Sequence, residues 1–497
     1  MEKEVGHIVN VEAQAATVAD DTPLLVGGRE YWSDSLHEVR NPAHPEQCVG
    51  RIVQADETIA ISAIEAAAAA LPGWAATPRG ERLMHVRQAL SGIEAFAADL
   101  APLITREMGK NLRESESEVA LPGVALGKYE PHFQRMIDER ISDERGDVVV
   151  SRAPRGVTTL IVPFNWPVAQ LALKLVPALL MGNTVVVKAS PLAPLAVTKV
   201  VHAIASALPP GVVNAVFGPD SVASVLTTHP AVRTVSFTGS IATGRKVMAA
   251  AAASLKHVVL ELGGNDPALI LADAALDKRQ CIRILQAIFS TSGQGCQLIK
   301  RIYVHRSRHD ELVEKLVACA DDYYVVGDGM EPEVNLGPVV TKAQRDRIQN
   351  LIERSRGADT TVRETGKVHD TQVFERGWFV RPSFITHVDS DAPIVTDEQF
   401  GPVVPIIAFD EEDEALRLAN ATEFGLAASV WTEDAERGMA LGRSIEAGTV
   451  FVNNHNTFAI FDVGGVGGVK QSGNGRELGP WGLEEFADLQ IRSTRAK

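Results

Sequence analysis

Between Gly156 and Gly264 the sequence alternates short, continuous apolar runs with longer segments of helical periodicity. Continuous Val/Ile/Leu runs separated by helices are typical of a parallel sheet whose two faces are both covered. Such sheets bind ligands at the carboxyl ends of their strands. The predicted strands are Val157 to Val162, Thr184 to Lys188, Val212 to Phe217, Thr234 to Phe237 and Val258 to Leu260. The predicted helices lie near Val168 to Leu180, Leu195 to Leu208, Asp220 to Thr227 and Ser240 to Ala253.

A second alternating unit begins at Ala268, which predicts a second α/β domain with a boundary near Gly263 and Gly264. Its predicted strands are Ala268 to Leu271, Ile302 to His305, Val404 to Ala408, Ala428 to Trp431 and Thr449 to Val452. Before the first unit, apolar residues at three- and four-residue spacing predict amphipathic helices. These are Ala60 to Leu71, Arg79 to Gly109 and Glu114 to Arg135.

Composition excludes several classes of protein. The 497 residues carry 48 Lys and Arg against 63 Asp and Glu, a formal charge of -15, which argues against nucleic acid or anionic lipid as a partner. The four cysteines form no CxxC pair, so we expect neither a disulfide framework nor a metal site. No signal peptide or membrane span is predicted, because apolar segments such as Leu171 to Met181 are short and interrupted. A cytoplasmic protein is the default expectation.

Cys296 lies on a Gly/Ser-rich turn between an apolar helical run and an apolar strand. The adjacent Gly293 and Gly295 allow the backbone to pass close to a ligand and leave the sulfur reachable. This setting indicates a nucleophile. The alternative is a small core hydrophobe, the commonest role of a free cysteine.

Two further residues lie where a parallel sheet presents its ligands. Asn165, in Pro163-Phe-Asn-Trp-Pro167, follows a predicted strand, and its amide suits a developing oxyanion. Its alternative role is that of a turn asparagine between two prolines. Glu261 ends the last strand of the first unit between Leu260 and Leu262, so we expect a raised pKa and a general base.

The segment Phe237-Thr-Gly-Ser240, followed by Gly244, ends a strand and opens a helix, as a pyrophosphate site requires. Taken together, these stretches resemble the aldehyde dehydrogenase superfamily from about Leu24 to Gln490. Seven motifs agree in order and spacing: Pro163 to Pro167, Val185 to Lys188, Phe237 to Ser240, Glu261 to Gly264, Gly293 to Cys296, Glu398 to Pro402 and Gly467 to Glu477.

The resemblance implies NAD(P)-dependent oxidation of an aldehyde to a carboxylic acid. Cys296 would form a hemithioacetal and then a thioester, with Asn165 holding the oxyanion and Glu261 activating the hydrolytic water. Glu477 matches a second family glutamate that would relay protons, or alternatively form a salt bridge with an arginine. The implied cofactor residues are Phe164, Lys188, Ser190, Phe237, Thr238, Gly239, Ser240, Gly244, Leu262, Glu398 and Phe400.

Three departures from the family pattern bear on specificity. Pro191 replaces a glutamate that many NAD-preferring members carry, so NAD, NADP or both are expected. Thr291 replaces the usual asparagine, and Gly465-Val466 replaces a common Pro-Phe. The candidate substrate neighbours include no arginine, which favours neutral aliphatic or aromatic aldehydes. These candidates are Trp166, Val168, Leu173, Gln297 and Phe458.

The predicted fold is α/β, with two open doubly wound parallel-sheet domains and a small β flap. We expect a Rossmann-like cofactor domain (1–135 and 152–262), a catalytic domain (263–465) and a flap (136–151 and 466–497) that supports a homodimer or homotetramer. Two alternatives are a CoA-acylating relative, which retention of Glu261 disfavours, and a non-catalytic crystallin-like relative. His257 and His455 are interpreted as hydrogen-bonded structural residues.

Overall fold

The computed structural model describes residues 21–455 and 464–495 and the backbone of Ile8–Val9. The candidate substrate residue Phe458 lies outside these ranges. The strands are β1 (Ile8–Val9), β2 (Asp21–Thr22), β3 (Leu24–Val26), β4 (Arg29–Tyr31), β5 (Leu36–Arg40), β6 (Cys48–Val53), β7 (Glu139–Asp143), β8 (Gly146–Pro154), β9 (Val157–Ile161), β10 (Thr184–Lys188), β11 (Val213–Val216), β12 (Val232–Thr238), β13 (His257–Glu261), β14 (Asp266–Ile270), β15 (Ile299–His305), β16 (Val325–Val326), β17 (Thr361–Glu364), β18 (Lys367–Val368), β19 (Ser383–Thr386), β20 (Val403–Phe409), β21 (Ala427–Trp431), β22 (Thr449–Val452), β23 (Gly473–Asn474) and β24 (Ala487–Ser493).

Several of the α-helices pack against strands of the two large sheets. They are α1 (Glu57–Ala76), α2 (Arg79–Ser91), α3 (Ala97–Met108), α4 (Leu112–Val119), α5 (Leu121–Arg135), α6 (Pro167–Leu180), α7 (Leu195–Ser206), α8 (Asp220–Thr228), α9 (Ile241–Ala252), α10 (Lys278–Phe289), α11 (His309–Tyr323), α12 (Lys342–Arg354), α13 (Thr371–Arg376), α14 (Pro393–Thr396), α15 (Glu412–Asn420), α16 (Ala435–Gly442) and α17 (Gly479–Glu484).

The first sheet has the strand order β1-β4-β3-β11-β10-β9-β12-β13-β23. Its central strands, from β11 to β13, are mutually parallel, whereas the strands at both edges pair antiparallel. Every residue of β9 and β10 is buried, which explains why these strands are continuous apolar runs rather than alternating ones. The predicted doubly wound α/β fold is confirmed, with antiparallel edge strands as an addition.

The second sheet has the order β17-β19-β20-β15-β14-β21-β22 and is parallel except at β17. It begins directly after the first, because β13 ends at Glu261 and β14 starts at Asp266. Asp266 pairs in register with Ile299, the first residue of β15. The carboxyl edge of the first sheet therefore faces the amino edge of the second.

A third sheet joins β7, β8 and β24 in antiparallel pairs. Its β8 strand continues to Pro154, beyond the predicted end of the flap at residue 151. Gly473–Asn474, which the prediction placed in the flap, pairs with β13 of the first sheet. Two smaller sheets, β2-β6-β5 and β16-β18, complete the described strands. The division into domains given above, and the oligomerisation role of the flap, stay predictions.

Two of the predicted long N-terminal helices are interrupted. A 3-10 turn at Gly92–Phe96 separates α2 from α3, and Ala120 separates α4 from α5. Pro122 in the first turn of α5 explains the second break, since proline starts a helix well but cannot donate a backbone hydrogen bond. The prediction of one continuous helix from Glu114 to Arg135 was therefore wrong.

Of the described helices, α1 has the length and composition of a membrane span. In this fold its buried face, formed by Ala60, Ala63 and Ile64, packs against β10 and β11 of the first sheet. Its other face carries Glu57 and Glu65. It is thus arranged as one of the helices that cover the first sheet.

Candidate active site

Cys296 lies in the connection from α10 to β15, at the amino edge of the second sheet. Its side chain is half-buried. The connection is tightly enclosed by other backbone. A β-carbon built at Gly293, which has φ +72°, would lie 2.2 Å from the carbonyl oxygen of Gly401, and one built at Gly264 would lie 2.3 Å from that of Cys296. Glycine is required at both positions, so the turn is held in one place.

Asn165 follows β9 and lies against this turn. Its Nδ2 donates a hydrogen bond of 2.8 Å to the carbonyl oxygen of Gln294, two residues before Cys296. Asn165 is buried. A side-chain amide has two N–H donors, so one remains for an oxygen bound beside the sulfur. The structure thus brings Asn165 and the cysteine turn together.

Glu261 ends β13, beside Thr238 of β12 in the register of the first sheet. It is buried, and within the described part of the chain its Oε1 has no hydrogen-bond partner. Burial, followed by the charge of Glu477, raises the pKa of Glu261 well above its usual value, as expected from its apolar neighbours. A buried carboxylate oxygen without a protein donor is available to a water molecule or a thiol.

The electrostatic surroundings of Cys296 connect it to this carboxylate. Burial raises the pKa of the thiol to about 12, and the charges of Glu261, Glu398 and Asp266 add to the effect. The backbone N–H of Gln297 lowers the pKa in part. Since only the thiolate is a good nucleophile, this cysteine requires a nearby base or an added positive charge. Among the charged groups that act on the thiol, Glu261 has the largest effect.

Glu477, whose charge acts on Glu261, forms an ion pair with Lys174, and the side chain of Lys174 is completely buried in α6. The predicted alternative of an arginine partner was wrong, because the partner is Lys174. The adjacent Leu478 N–H donates a hydrogen bond of 2.9 Å to the hydroxyl of Tyr129. Lys174 also lowers the pKa of Glu261. The three charged groups therefore form one electrostatic unit at the carboxyl edge of the first sheet.

Lys188 ends β10, at the same edge. The residue is buried, its ammonium nitrogen lies 6.0 Å from the centre of the Phe217 ring, and burial lowers its pKa. Within residues 21–455 and 464–495 its ammonium makes no hydrogen bond or ion pair, and the charge of Asp220 partly opposes the fall in its pKa. Ser190 accepts a hydrogen bond of 3.3 Å from the N–H of Leu192, which leaves the hydroxyl proton free. Lys188 and Ser190 thus offer hydrogen-bond donors at the edge of the sheet.

The predicted pyrophosphate segment connects β12 to α9. Ser240 caps α9 by accepting from the N–H of Thr243 at 3.2 Å. The side chains of Phe237 and Leu262 pack directly under two glycines: β-carbons at Gly239 and Gly244 would each lie 2.5 Å from them. The side chains of Phe237 and Leu262 therefore pack against this loop. The hydroxyl of Thr238 donates a hydrogen bond to Gln170 Oε1. The exposed helix N-terminus is the part that fits an anionic group.

Glu398 and Phe400 lie across the crevice, on the loop before β20. Glu398 accepts a hydrogen bond of 3.0 Å from the N–H of Gly264, and burial raises its pKa to about 7. Phe400 has a positive φ of 49°, and its ring centre lies 5.9 Å from that of Phe164 in an edge-on arrangement. The side chains of Gln344 and Arg347 donate hydrogen bonds to backbone carbonyls of this loop, those of Phe400 and Glu398.

The donors fit a dinucleotide cofactor. Ribose hydroxyls and phosphates require hydrogen-bond donors, positive charge and acceptors. The crevice offers a buried lysine whose ammonium has no acceptor among the described residues, the N-terminus of a capped helix and a carboxyl group on the opposite wall. No carboxylate follows Lys188 at position 191, where the backbone oxygen of Pro191 instead contacts His37 Nε2 at 3.2 Å. Position 191 thus supplies no carboxylate that would repel a 2′-phosphate.

Sequence reasoning missed the buried Lys300. Its ammonium donates to the carbonyl oxygen of Gly293 at 2.5 Å, its nitrogen lies 5.4 Å from the Phe400 ring centre, and burial lowers its pKa to about 8. It stabilises the cysteine turn and faces Glu398. The signal was the adjacent pair Lys300-Arg301 inside an apolar strand, since charges in a buried strand require partners.

The two histidines have the structural roles that were predicted. His257 contacts Glu485 Oε2 at 2.5 Å. His455 Nδ1 lies 3.0 Å from the hydroxyl of Ser429, and its Nε2 lies 3.3 Å from Asp266 Oδ2. Within the described chain, neither histidine forms a hydrogen bond or an ion pair with Cys296. Their hydrogen bonds connect β13 to the C-terminal segment and β21 to β14.

Among the predicted substrate neighbours, Val168 is fully buried and donates its N–H to Glu118. Trp166 is partly buried, and the Lys110 ammonium lies 3.7 Å from its ring centre. Leu173 and Gln297 are partly buried. Trp166, Leu173 and Gln297 therefore remain candidates to line an aldehyde channel, whereas Val168 is better explained by packing.

Comparison with known proteins agrees with this geometry. The model of the "Aldehyde dehydrogenase family" matches residues 31–491. Geranial dehydrogenase of Castellaniella defragrans is 36% identical over 474 residues, covering 93% of this chain and 96% of the relative. The NADP+ succinate-semialdehyde dehydrogenase GabD of Escherichia coli is 34% identical, covering 94% and 96%.

Among solved structures, betaine aldehyde dehydrogenase of Staphylococcus aureus in complex with NAD+ superposes with a TM-score of 0.90 at 30% identity, covering 96% of this chain and 95% of the other. The names of these relatives refer to both nicotinamide cofactors. The match extends over nearly all of this chain and over nearly all of each relative. The chain therefore belongs to the aldehyde dehydrogenase family, and it is an oxidoreductase that oxidises aldehydes with NAD or NADP.

Proposed function

We propose that this aldehyde dehydrogenase works through a covalent intermediate on Cys296. The sulfur adds to the carbonyl carbon of the aldehyde and forms a hemithioacetal, while the thiol proton passes to a base. Asn165 Nδ2 and the backbone N–H of Cys296 hold the oxygen that becomes negative. Loss of a hydride from the same carbon leaves a thioester on Cys296, with the substrate carbon oxidised by two electrons.

Glu261 is the proposed base for both proton transfers. It takes the thiol proton in the first half of the reaction and activates the water that hydrolyses the thioester in the second. The hydrolysis releases the carboxylic acid and restores the thiol. The observation that carries this proposal is the buried Glu261 Oε1 without a hydrogen-bond partner among the described residues. Glu477 and Lys174 give a route for the proton to leave Glu261.

The cofactor-binding roles follow the same crevice. We propose that Lys188 and Ser190 hold the adenine ribose, that the N-terminus of α9 at Ser240 holds the pyrophosphate, and that Glu398 and Phe400 hold the nicotinamide end. Bound NAD or NADP supplies the acceptor of the hydride. With Pro191 in place of a carboxylate, we expect both cofactors to be used.

The proposed substrate is a neutral aliphatic or aromatic aldehyde. The arginines near the site are occupied by backbone carbonyls: Arg301 binds those of Asn265, Leu418 and Ala419, and Arg476 binds those of Gly468 and Gly475. A substrate carboxylate would require a free guanidinium. The name of the 36% identical relative refers to geranial, an uncharged aldehyde, which supports the same choice.

We also propose that the third sheet is an oligomerisation surface. Its exposed apolar side chains include Ile141 on β7 and Leu489 and Ile491 on β24, each more than 60% exposed. Such a patch on an edge sheet is suited to contact with a second copy. A homodimer or homotetramer is expected, with the cofactor and catalytic domains on the two large sheets.

The first test is Cys296→Ala. The variant should lose aldehyde-dependent formation of reduced nicotinamide by at least about 1,000-fold, since the nucleophile is absent. A Cys319→Ala control, partly buried on α11 and outside the crevice, should keep the wild-type rate. An unchanged rate in Cys296→Ala would overturn the proposal.

A second measurement separates the hydrolytic reaction from transfer to CoA. Addition of CoA to the assay should leave the rate and the carboxylic acid product unchanged if Glu261 activates water. Formation of an acyl-CoA would favour the CoA-acylating alternative. A panel of neutral, anionic and cationic aldehydes, each with NAD and NADP, tests the expected preference for neutral substrates.

A further inference from the structure

The turn before Cys296 has an unusual backbone. Thr291 and Ser292 both have positive φ angles, 52° and 57°. This left-handed region is uncommon for any residue other than glycine, and it is an outlier for a β-branched residue such as threonine. The hydroxyl of Thr291 is also buried without a hydrogen-bond partner in the described chain. Thr291 is therefore in a conformation that other residues must maintain.

Glu114 of α4 makes the contacts that maintain it. Its Oε1 accepts hydrogen bonds from the N–H of Thr291 at 2.7 Å and from the hydroxyl of Ser290 at 2.9 Å. Its Oε2 accepts from Asn111 Nδ2 at 2.9 Å. All three contacts use the carboxylate as an acceptor. A glutamine could keep the two contacts at Oε1, but its NH2 group would face Asn111 Nδ2, a donor whose orientation is fixed because Asn111 Oδ1 accepts from the N–H of Glu114. Burial raises the pKa of Glu114, and the nearby Lys110 opposes the shift.

A second carboxylate lies one turn further along the same face of α4. Glu118 Oε1 accepts from the N–H groups of Val168 and Ala169, at 2.8 and 3.0 Å, in the first turn of α6. Its Oε2 accepts from Lys110 Nζ at 2.6 Å, and both side chains are completely buried. Glu118 thus fixes the segment that follows Asn165, while Glu114 fixes the turn that precedes Cys296.

These two segments also contact each other, through the hydrogen bond from Asn165 Nδ2 to the carbonyl oxygen of Gln294. We infer that α4 is a positioning element for the reaction, in which Glu114 sets the turn of Cys296 and Glu118 sets the segment of Asn165. Neither carboxylate touches the reacting atoms. The inference rests on the proposed role of Cys296 and extends it to residues outside the crevice.

Glu114 is the residue to test, because an NH2 group in place of Oε2 should be repelled by Asn111 Nδ2, displace the side chain from the turn, release the strained backbone at Thr291 and move the sulfur. For Glu114→Gln we expect kcat to fall about 10- to 100-fold, as misplacement of a reacting group by about 1 Å can cause. The KM for the aldehyde should stay within about threefold, because no substrate contact is removed. The matched control is Glu116→Gln, an exposed carboxylate on the same helix, which should keep both constants.

The rate of Cys296 alkylation by iodoacetamide, measured against pH, reports the position of the thiol independently of turnover. Glu114→Gln should change this pH profile and Glu116→Gln should not. A purely structural role predicts a different result: a lower melting temperature, with kcat per folded molecule and the alkylation profile both unchanged. That result would overturn the inference.

A rescue experiment uses the strain itself. Asparagine adopts positive φ more readily than threonine does. Adding Thr291→Asn to Glu114→Gln should therefore restore kcat by about fivefold or more, and coupling between the two sites should appear in a double-mutant cycle. Strictly additive effects would contradict the inference. If Glu114→Gln does not fold, Ser290→Ala removes one of the three contacts and should lower kcat by about threefold.

Cys296→Ala separates the two proposals. If this variant is inactive while Glu114→Gln behaves like wild type, only the positioning role fails. If Cys296→Ala retains the wild-type rate, the proposed nucleophile fails, whatever the Glu114 variants do.

Discussion

Two buried carboxylates, Glu118 on α4 and Glu261 at the end of β13, lie near the same crevice in opposite situations. Glu118 accepts two backbone N–H groups and a buried ammonium. Glu261 has an Oε1 without a donor in the described chain and a pKa raised well above its usual value. A buried carboxylate whose oxygens all accept hydrogen bonds fixes the geometry around it. A buried carboxylate with an oxygen that lacks a donor can exchange a proton.

The catalytic side of this comparison predicts the largest effect. Glu261→Gln should lower the steady-state rate by about 1,000-fold, close to 4 kcal/mol, because the glutamine cannot activate water. If the thioester still forms, rapid mixing should reveal an initial burst of reduced nicotinamide that is followed by slow turnover. A Glu261→Gln enzyme with a normal steady-state rate would remove Glu261 from the mechanism.

The structural side predicts a loss of stability. Glu118→Gln leaves Lys110 buried without its anion, which should lower the free energy of unfolding by about 3 kcal/mol. Denaturant titration measures the change. Glu116→Gln on the same helix should stay within about 0.5 kcal/mol of wild type. Equal stabilities of the two variants would contradict the assignment of Glu118 as a structural charge.

The raised pKa of Glu261 predicts a pH dependence of intermediate size. Thioester hydrolysis should rise about tenfold per pH unit below this pKa and level off above it, since the base acts when ionised. Folding favours the protonated form, so the contribution of Glu261 to stability is complete below its unfolded pKa and is lost as the pH rises through the folded pKa. Glu261→Gln should therefore melt higher than wild type at alkaline pH and equally in acid. A flat pH profile would argue against Glu261 as the base.

The smallest predicted effect is that of replacing Glu107, a third buried glutamate. It is buried, and its carboxyl oxygens accept from the N–H groups of Leu195 and Ala196 at 2.9 and 3.0 Å, at the start of α7. Burial raises its pKa to about 8. In Glu107→Gln the amide oxygen can still accept one of the two N–H groups, and only the other loses its acceptor. Glu107→Gln should lower the stability by about 1 kcal/mol without changing kcat. A fall in kcat would contradict a purely structural role for Glu107.

The sequence predicted the elements near the crevice well, because their local signals agree. The strands that end at Lys188 and Glu261 are continuous apolar runs bounded by glycine or proline, and these features are readable without coordinates. It also located Cys296 and Asn165, since each lies on a loop with an unusual composition. The helical break at Ala120 was missed, because amphipathic periodicity continues across it.

The contacts of α4 could not be predicted, since Glu114, Glu116 and Glu118 are similar acidic residues in one polar run. Only the tertiary structure buries Glu118, partly buries Glu114 and leaves Glu116 exposed. The partner of Glu477 was missed for the same reason, because Lys174 lies 303 residues away on an apolar helix.

The sequence by itself determined the alternation of strands and helices, the ends at which ligands bind, and the chemical groups available there. These properties follow from local periodicity and residue type. The tertiary structure alone decided which buried charges are paired and which carboxylate oxygen stays without a donor, because pairing depends on long-range packing. The difference between a fully paired buried glutamate and an incompletely paired one is therefore a property of the folded chain.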